Sequence, residues 1–127
     1  MKIILDSSGW IELLADAGRG HLYEPALQPE RLLVPALVRY EVGRYCLAHG
    51  GHEFQKLALR ALTKFPGIVL DFRLADEAAT LAHQLKLAMA DAIIYATTRH
   101  YGAELWTQDA HFKGLPAVRY FAKEPSS

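Results

Sequence analysis

The sequence predicts an α/β domain with a mostly parallel central sheet and helices on both faces, a three-layer α/β/α arrangement. Three observations predict it. Short aliphatic and β-branched runs alternate with longer segments whose apolar residues recur at helical spacing. That alternation favours parallel strands joined by helical crossovers. No repeat, low-complexity tract or long linker divides the 127 residues, which suits a single domain over 1–127.

The elements follow in order. Lys2 to Leu5 is a run of buried-strand type. Asp6-Ser7-Ser8 ends it and is suited to capping a helix, on which Trp10, Leu13, Leu14 and Ala17 share a face. Gly18 and Gly20 stop that helix. Leu22 to Pro29, interrupted by two prolines, reads as a loop with two helical turns. Arg31 to Val34 is the second strand, closed by Pro35. Ala36 to His49 and His52 to Phe65 are helices separated by Gly50-Gly51, the second with Phe54, Leu57, Ala58, Ala61 and Phe65 on one face. Pro66-Gly67 leads into a third strand, Ile68 to Leu70. Leu74 to Lys86 is amphipathic, and a helix carrying Asp91 follows. Ala103 to Trp106 is a strand, Ala110 to Lys113 a turn of helix, and Ala117 to Tyr120 the last strand. Glu124 to Ser127 reads as a frayed tail.

Composition narrows the class. The chain is 51% hydrophobic and 22% charged, which is the balance of a folding domain. No apolar run reaches the roughly 20 residues of a membrane helix, and MKIILDSSGW does not read as a secretory signal. Cys46 is the single cysteine, so neither an internal disulfide nor a thiolate cluster is available, and a cytoplasmic setting is expected. Formal net charge is zero. A nucleic-acid binder more often carries a basic excess, so contact with nucleic acid would have to come from local basic groups. Arg39, Arg44, Lys86 and Arg99 are candidates, and each also suits a solvated surface.

Four acids stand out. Glu41 falls inside the apolar stripe of Val38, Val42, Tyr45 and Cys46, where a lone carboxylate is costly to bury. It also fits a stripe edge, paired with Arg44. Asp6 follows a strand and precedes a helix. It could cap that helix, but Ser7 and Ser8 could do so instead and leave it free. Asp91 lies in a first helical turn, which the helix dipole favours. Asp109 ends a strand at Thr107-Gln108-Asp109 and could cap the short turn after it.

Together the four fall where an α/β sheet turns toward one cleft, beyond the carboxyl ends of its strands. Neighbouring carboxylates repel by about 3 kcal/mol per pair at roughly 5 Å and an effective dielectric of about 20. A cation between them would remove that penalty, and hard oxygen ligands select Mg²⁺ or Mn²⁺. Such a site suits phosphodiester hydrolysis.

The segments ILDSSGWIELL, ALVRYEVGRY and KLAMADAIIYATTRHYGAELWTQDAHF, in this order and spacing, resemble the PIN-domain nucleases, specifically the VapC-type toxins of toxin–antitoxin pairs. The similarity covers nearly the whole chain. The helical Asp followed by a strand and Thr-x-Asp-x-His-Phe is its most specific part. The resemblance implies an endoribonuclease with Mg²⁺ or Mn²⁺, a small antitoxin partner that blocks the site, and a homodimer. It implies Asp6, Glu41, Asp91 and Asp109 as the catalytic and metal-binding acids, with Thr107 and Ser8 as supporting hydroxyls. Ala90 stands before Asp91 where some relatives carry Pro, which bears only on how that helix starts. His111 reads as a structural or rim residue, and Trp10 and Trp106 as core.

Two other readings are weighed. One is a catalytically silent partner-binding domain of the same fold, against which the retention of all four acids argues. The other is a phosphatase of another doubly wound family. A haloacid-dehalogenase-like enzyme wants a second Asp two residues after the first, where Ser8 stands. A receiver domain wants an acidic pair near the first strand's end and a late Lys, and neither is clear.

Overall fold

A computed structural model describes residues 1–15 and 18–123. Five strands, β1 (Ile3–Leu5), β2 (Leu32–Pro35), β3 (Gly67–Ile68), β4 (Glu104–Thr107) and β5 (Val118–Tyr120), form one sheet in the order β3-β2-β1-β4-β5. All four pairings are parallel. Central β1 pairs Ile3 with Leu32 on one side and Glu104 on the other, and its three residues are all buried. A strand covered on both faces needs such an unbroken apolar run.

The helices are α1 (Ser7–Ala15), α2 (Ala36–Thr63), α3 (Phe72–Leu85) and α4 (Met89–His100). Single 3₁₀ turns lie at Gly20–Leu22, Glu24–Ala26 and Ala110–Phe112. The right-handed crossover rule assigns α1 and α2 to one face and α3 and α4 to the other. The packing follows this division, with α1 against α2 and α3 against α4, while α2 also touches α4. The chain steps outward from β1 to β2 and β3, then returns to β4 on the other flank of β1. The crevice between β1 and β4 is therefore the switch point at which open α/β sheets bind ligands.

Most elements lie within one or two residues of expectation, and the exceptions have local causes. The third strand is Gly67–Ile68 rather than Ile68 to Leu70. It is an edge strand paired only with β2, and Val69 and Leu70 are exposed beyond it. Helix α3 starts before Leu74 because the Asp71 carboxylate accepts the Leu74 N–H at 2.9 Å. The two helices expected around Gly50-Gly51 are the halves of α2, bent where Gly51 takes φ 76°. Those halves fold back on each other: Gln55 donates to the Gly43 carbonyl, and a Cβ at Gly43 would lie 3.4 Å from Leu59. Leu57, placed on the apolar face by its spacing, is 60% exposed, whereas Ala58 and Leu62 are buried. Trp10 and Trp106 are core residues. Ala17 and the Glu124 to Ser127 tail lie outside the described residues.

Candidate metal centre

Asp6 directly follows β1, and Thr107 is the last residue of β4. The strand register sets Leu5 beside Trp106, and the Asp6 N–H donates to the Trp106 carbonyl at 3.4 Å. Asp6 therefore meets the end of β4 across the switch point. Its Oδ2 accepts the Thr107 hydroxyl, while its Oδ1 accepts the Ser8 hydroxyl at 2.6 Å and the Gly9 N–H at 3.1 Å. Asp6 thus caps α1 itself, which corrects the expectation that Ser7 or Ser8 would cap and leave it free. A carboxylate has two oxygens, and capping occupies only one of them. Both hydroxyls expected to support the site, Thr107 and Ser8, bind Asp6.

The Thr107 oxygen also accepts the Asp109 N–H at 2.9 Å. This fixes the turn that carries Asp109, whose Oδ1 accepts the His111 N–H at 2.9 Å and caps the Ala110–Phe112 turn. That tight turn folds His111 back over the acids. Its Nδ1 lies 3.2 Å from Asp109 Oδ1 and 3.2 Å from Asp91 Oδ2. Asp91 occupies the first turn of α4, as expected. Asp91, Asp109 and His111 each offer one ligand atom, all within 4.8 Å of one another. Asp6 joins this group through Thr107, by two hydrogen bonds.

Glu41 comes from α2, the helix that touches α4. It is partly buried, and its Oε1 is shielded from solvent without a hydrogen-bond partner. Among the described residues it forms no ion pair with Arg44. Burial raises its pKa, the Ser7 side chain lowers it, and the negative charges of Asp6 and Asp91 raise it further. Asp6 is also raised, first by burial and last by Asp109, with its three hydrogen-bond donors opposing. Asp91 is raised by burial and Asp109, and lowered by His111. Asp6, Glu41 and Asp91 are therefore each raised in part by the charge of another expected acid, although only Asp91 and Asp109 share the tight ligand group with His111.

The surroundings hold this arrangement in place. Gln108, buried between Thr107 and Asp109, donates to Glu12 Oε2 at 2.9 Å and accepts from Arg19 Nε at 2.8 Å. Arg19 also donates to the carbonyls of Phe121 and Ala122. The Tyr23 ring packs on Gly9, where an added Cβ would come within 2.8 Å of it. Its buried hydroxyl has no hydrogen-bond partner, and burial followed by the charge of Asp6 raises its pKa.

His111 and the Glu12–Gln108–Arg19 bridge escape a reading of the sequence. For His111 the local mark is Asp109 two residues before it, whose carboxylate accepts the His111 N–H and lies 3.2 Å from its Nδ1. The bridge joins residues 96 and 89 positions apart and has no local signature.

The donor set fits a hard divalent cation. It offers the carboxylates of Asp91 and Asp109 and the His111 imidazole, with Asp6 joined through Thr107 and Glu41 Oε1 unpartnered. A positive charge at this place would offset the mutual repulsion of the acids.

The family model for the PIN domain matches residues 3–118. No curated protein sequence matches the chain. Among solved structures it is similar to a toxin–antitoxin complex from Klebsiella pneumoniae, at 24% identity and TM-score 0.82, covering 93% of this chain and 96% of that one. It is similar to VapC20 of Mycobacterium tuberculosis, a sarcin–ricin-loop-cleaving toxin, at 18% identity and TM-score 0.76, covering 91% and 95%. The DNA-bound VapBC of Salmonella typhimurium is a third, at 14% identity and TM-score 0.77, covering 95% and 97%. At these identities the likeness establishes the fold.

Proposed function

The chain belongs to the PIN-domain family, and on that premise we propose that it is a metal-dependent endoribonuclease, the toxin of a toxin–antitoxin pair, acting as one nuclease domain over 1–127. The observation that carries this reading is the convergence of Asp6, Asp109 and Asp91, with Glu41 beside them, on the switch point between β1 and β4. Four mutually repelling acids in one crevice are a liability to the fold and an asset to a cation site.

Asp91 and Asp109 would hold Mg²⁺ or Mn²⁺, with Glu41 and Asp6 completing the acidic set. When bound, such an ion polarises a phosphodiester oxygen and lowers the pKa of a water. The chain's own groups do the rest. Ser8, Thr107 and the Gly9 N–H orient Asp6. Thr107 fixes the spacing of the two strand ends. Glu41 Oε1, which no protein donor engages, would be available to the ion. His111 tethers Asp91 to Asp109.

The likeness to a toxin that cleaves an RNA loop supports RNA as the substrate class. The likeness to toxin–antitoxin complexes supports a small antitoxin protein as partner. The family resemblance also supports a homodimer in the cytoplasm, in keeping with the absence among the described residues of a helix long and apolar enough to cross a membrane.

The test is incubation of purified protein with defined tRNA and rRNA fragments, in chelator and with Mg²⁺ or Mn²⁺, followed by mapping of the cuts. Cleavage at discrete sites that chelation stops and either ion restores is expected. Cleavage indifferent to chelation would require another mechanism.

A further inference from the structure

The zero net charge of the chain conceals an uneven distribution. Helix α2 with its closing residue Lys64 carries five bases, Arg39, Arg44, Lys56, Arg60 and Lys64, against two acids, Glu41 and Glu53. That segment is formally +3, so the remainder of the chain is −3. All five basic side chains are exposed. Among the described residues none of them pairs with a carboxylate. The Arg39 guanidinium is nonetheless fixed in place. Its Nη1 donates to the Leu59 carbonyl at 3.3 Å and to the Thr63 hydroxyl at 3.1 Å, leaving its other N–H groups free.

These bases line connected hollows on the surface of α2. The first, about 400 Å³, is bordered by Glu41, Tyr40 and Arg44. Tyr40 and Arg44 also border the second, about 530 Å³, which reaches Arg39 and is floored by Leu47 and Leu59. Arg39 and Leu59 continue into the third, about 690 Å³, which ends at Arg60 and Lys64. The path starts at an acid of the candidate centre and runs outward over basic groups. Tyr40, at its first junction, is 61% exposed. A positively charged groove with an exposed aromatic ring is how proteins take up single strands: cations track the phosphates and a base stacks on the ring.

We propose that this face of α2 is the track along which single-stranded RNA enters the site, with phosphates on Arg44, Arg39, Arg60 and Lys64 and a base on Tyr40. The proposal rests on the ribonuclease reading and adds to it the course of the substrate. It also reconciles a neutral chain with a polyanionic ligand, because the bases are gathered beside the acids that would repel that ligand.

The test is fluorescence anisotropy of the full chain with a fluorescein-labelled single-stranded oligoribonucleotide in EDTA, over a series of salt concentrations. The Arg60→Gln, Lys64→Gln double variant should bind more weakly, with a log–log salt slope shallower by about 1.4, since each single-strand phosphate contact contributes about 0.7. Tyr40→Ala should weaken binding at least about fivefold with an unchanged slope, because it removes stacking and no charge. Arg73→Gln, an exposed base on α3, should change neither quantity. Wild-type affinity and slope in the folded double variant would overturn the track and reassign the face to a protein partner. Failure of the wild type to bind the RNA at all would overturn the ribonuclease reading, and the track with it.

Discussion

One hydroxyl joins the two central strand ends: Thr107 Oγ1 donates to Asp6 Oδ2 and accepts the Asp109 N–H at 2.9 Å. Asp6 and Asp109 lie 103 positions apart in sequence, and this bridge sets their separation. Thr107→Val keeps the β-branched shape and removes the bridge, leaving a buried acceptor and a donor unsatisfied. It should destabilise the fold by about 1–3 kcal/mol and weaken divalent-ion binding by about ten- to a hundredfold, the usual loss when a supporting partner of a ligand is removed. Thr107→Ser should retain most of both. Calorimetric titration with Mn²⁺ and thermal melts of the two variants check this, and equal behaviour of Val and Ser would contradict it.

Gly9 is required by Tyr23. A Cβ on Gly9 would meet the Tyr23 ring at 2.8 Å, and the same residue's N–H holds Asp6 Oδ1. Gly9→Ala should therefore destabilise by about 1–3 kcal/mol through overpacking. Its melting point should fall by several degrees. An unchanged melting point would show that the ring moves aside freely.

His111 tethers two acids from different elements, α4 and the turn after β4. His111→Ala should lower Mn²⁺ affinity by about tenfold, read by calorimetry, while leaving the far-UV circular dichroism unchanged. Undiminished affinity would confine His111 to the rim.

The pH dependence of stability follows from the raised pKa values of Asp6, Glu41 and Asp91. Between its ordinary and raised value, each group binds more protons in the folded state than in the unfolded chain. Stability from these groups is therefore greatest below the ordinary carboxylate range and falls as pH rises through the raised values. Asp91→Asn removes one such group. Without metal, this variant should gain stability relative to wild type as pH rises from about 4 to about 8, reaching on the order of 1 kcal/mol. Parallel melts in EDTA measure the difference, and a difference that shrinks with rising pH would contradict the assignment.

The fold was legible wherever burial leaves a one-dimensional mark. Strand β1 reads as an unbroken apolar run because both its faces are covered. Gly50-Gly51 marks the bend in α2 because Gly51 needs a positive φ. Edge strand β3 was harder, since Val69 and Leu70 look like strand residues but extend past the end of β2. In the site, the acids were legible as residues whose local roles looked sufficient. Asp6 and Asp109 do perform those roles, capping α1 and the last 3₁₀ turn, while also facing the crevice. Capping and site membership were therefore compatible rather than competing. The Glu12–Gln108–Arg19 bridge was illegible because it exists only once distant segments have packed.

Cleavage of RNA by Asp91→Asn tests the central claim most directly. This substitution keeps the size and shape of the side chain and removes one charge from the Asp91–Asp109–His111 group. The variant should remain folded, melt no lower than wild type in EDTA, and fail to cut in Mg²⁺ or Mn²⁺ an RNA that the wild type cuts. Full cleavage by the folded variant would contradict the assignment of these acids to a catalytic metal centre.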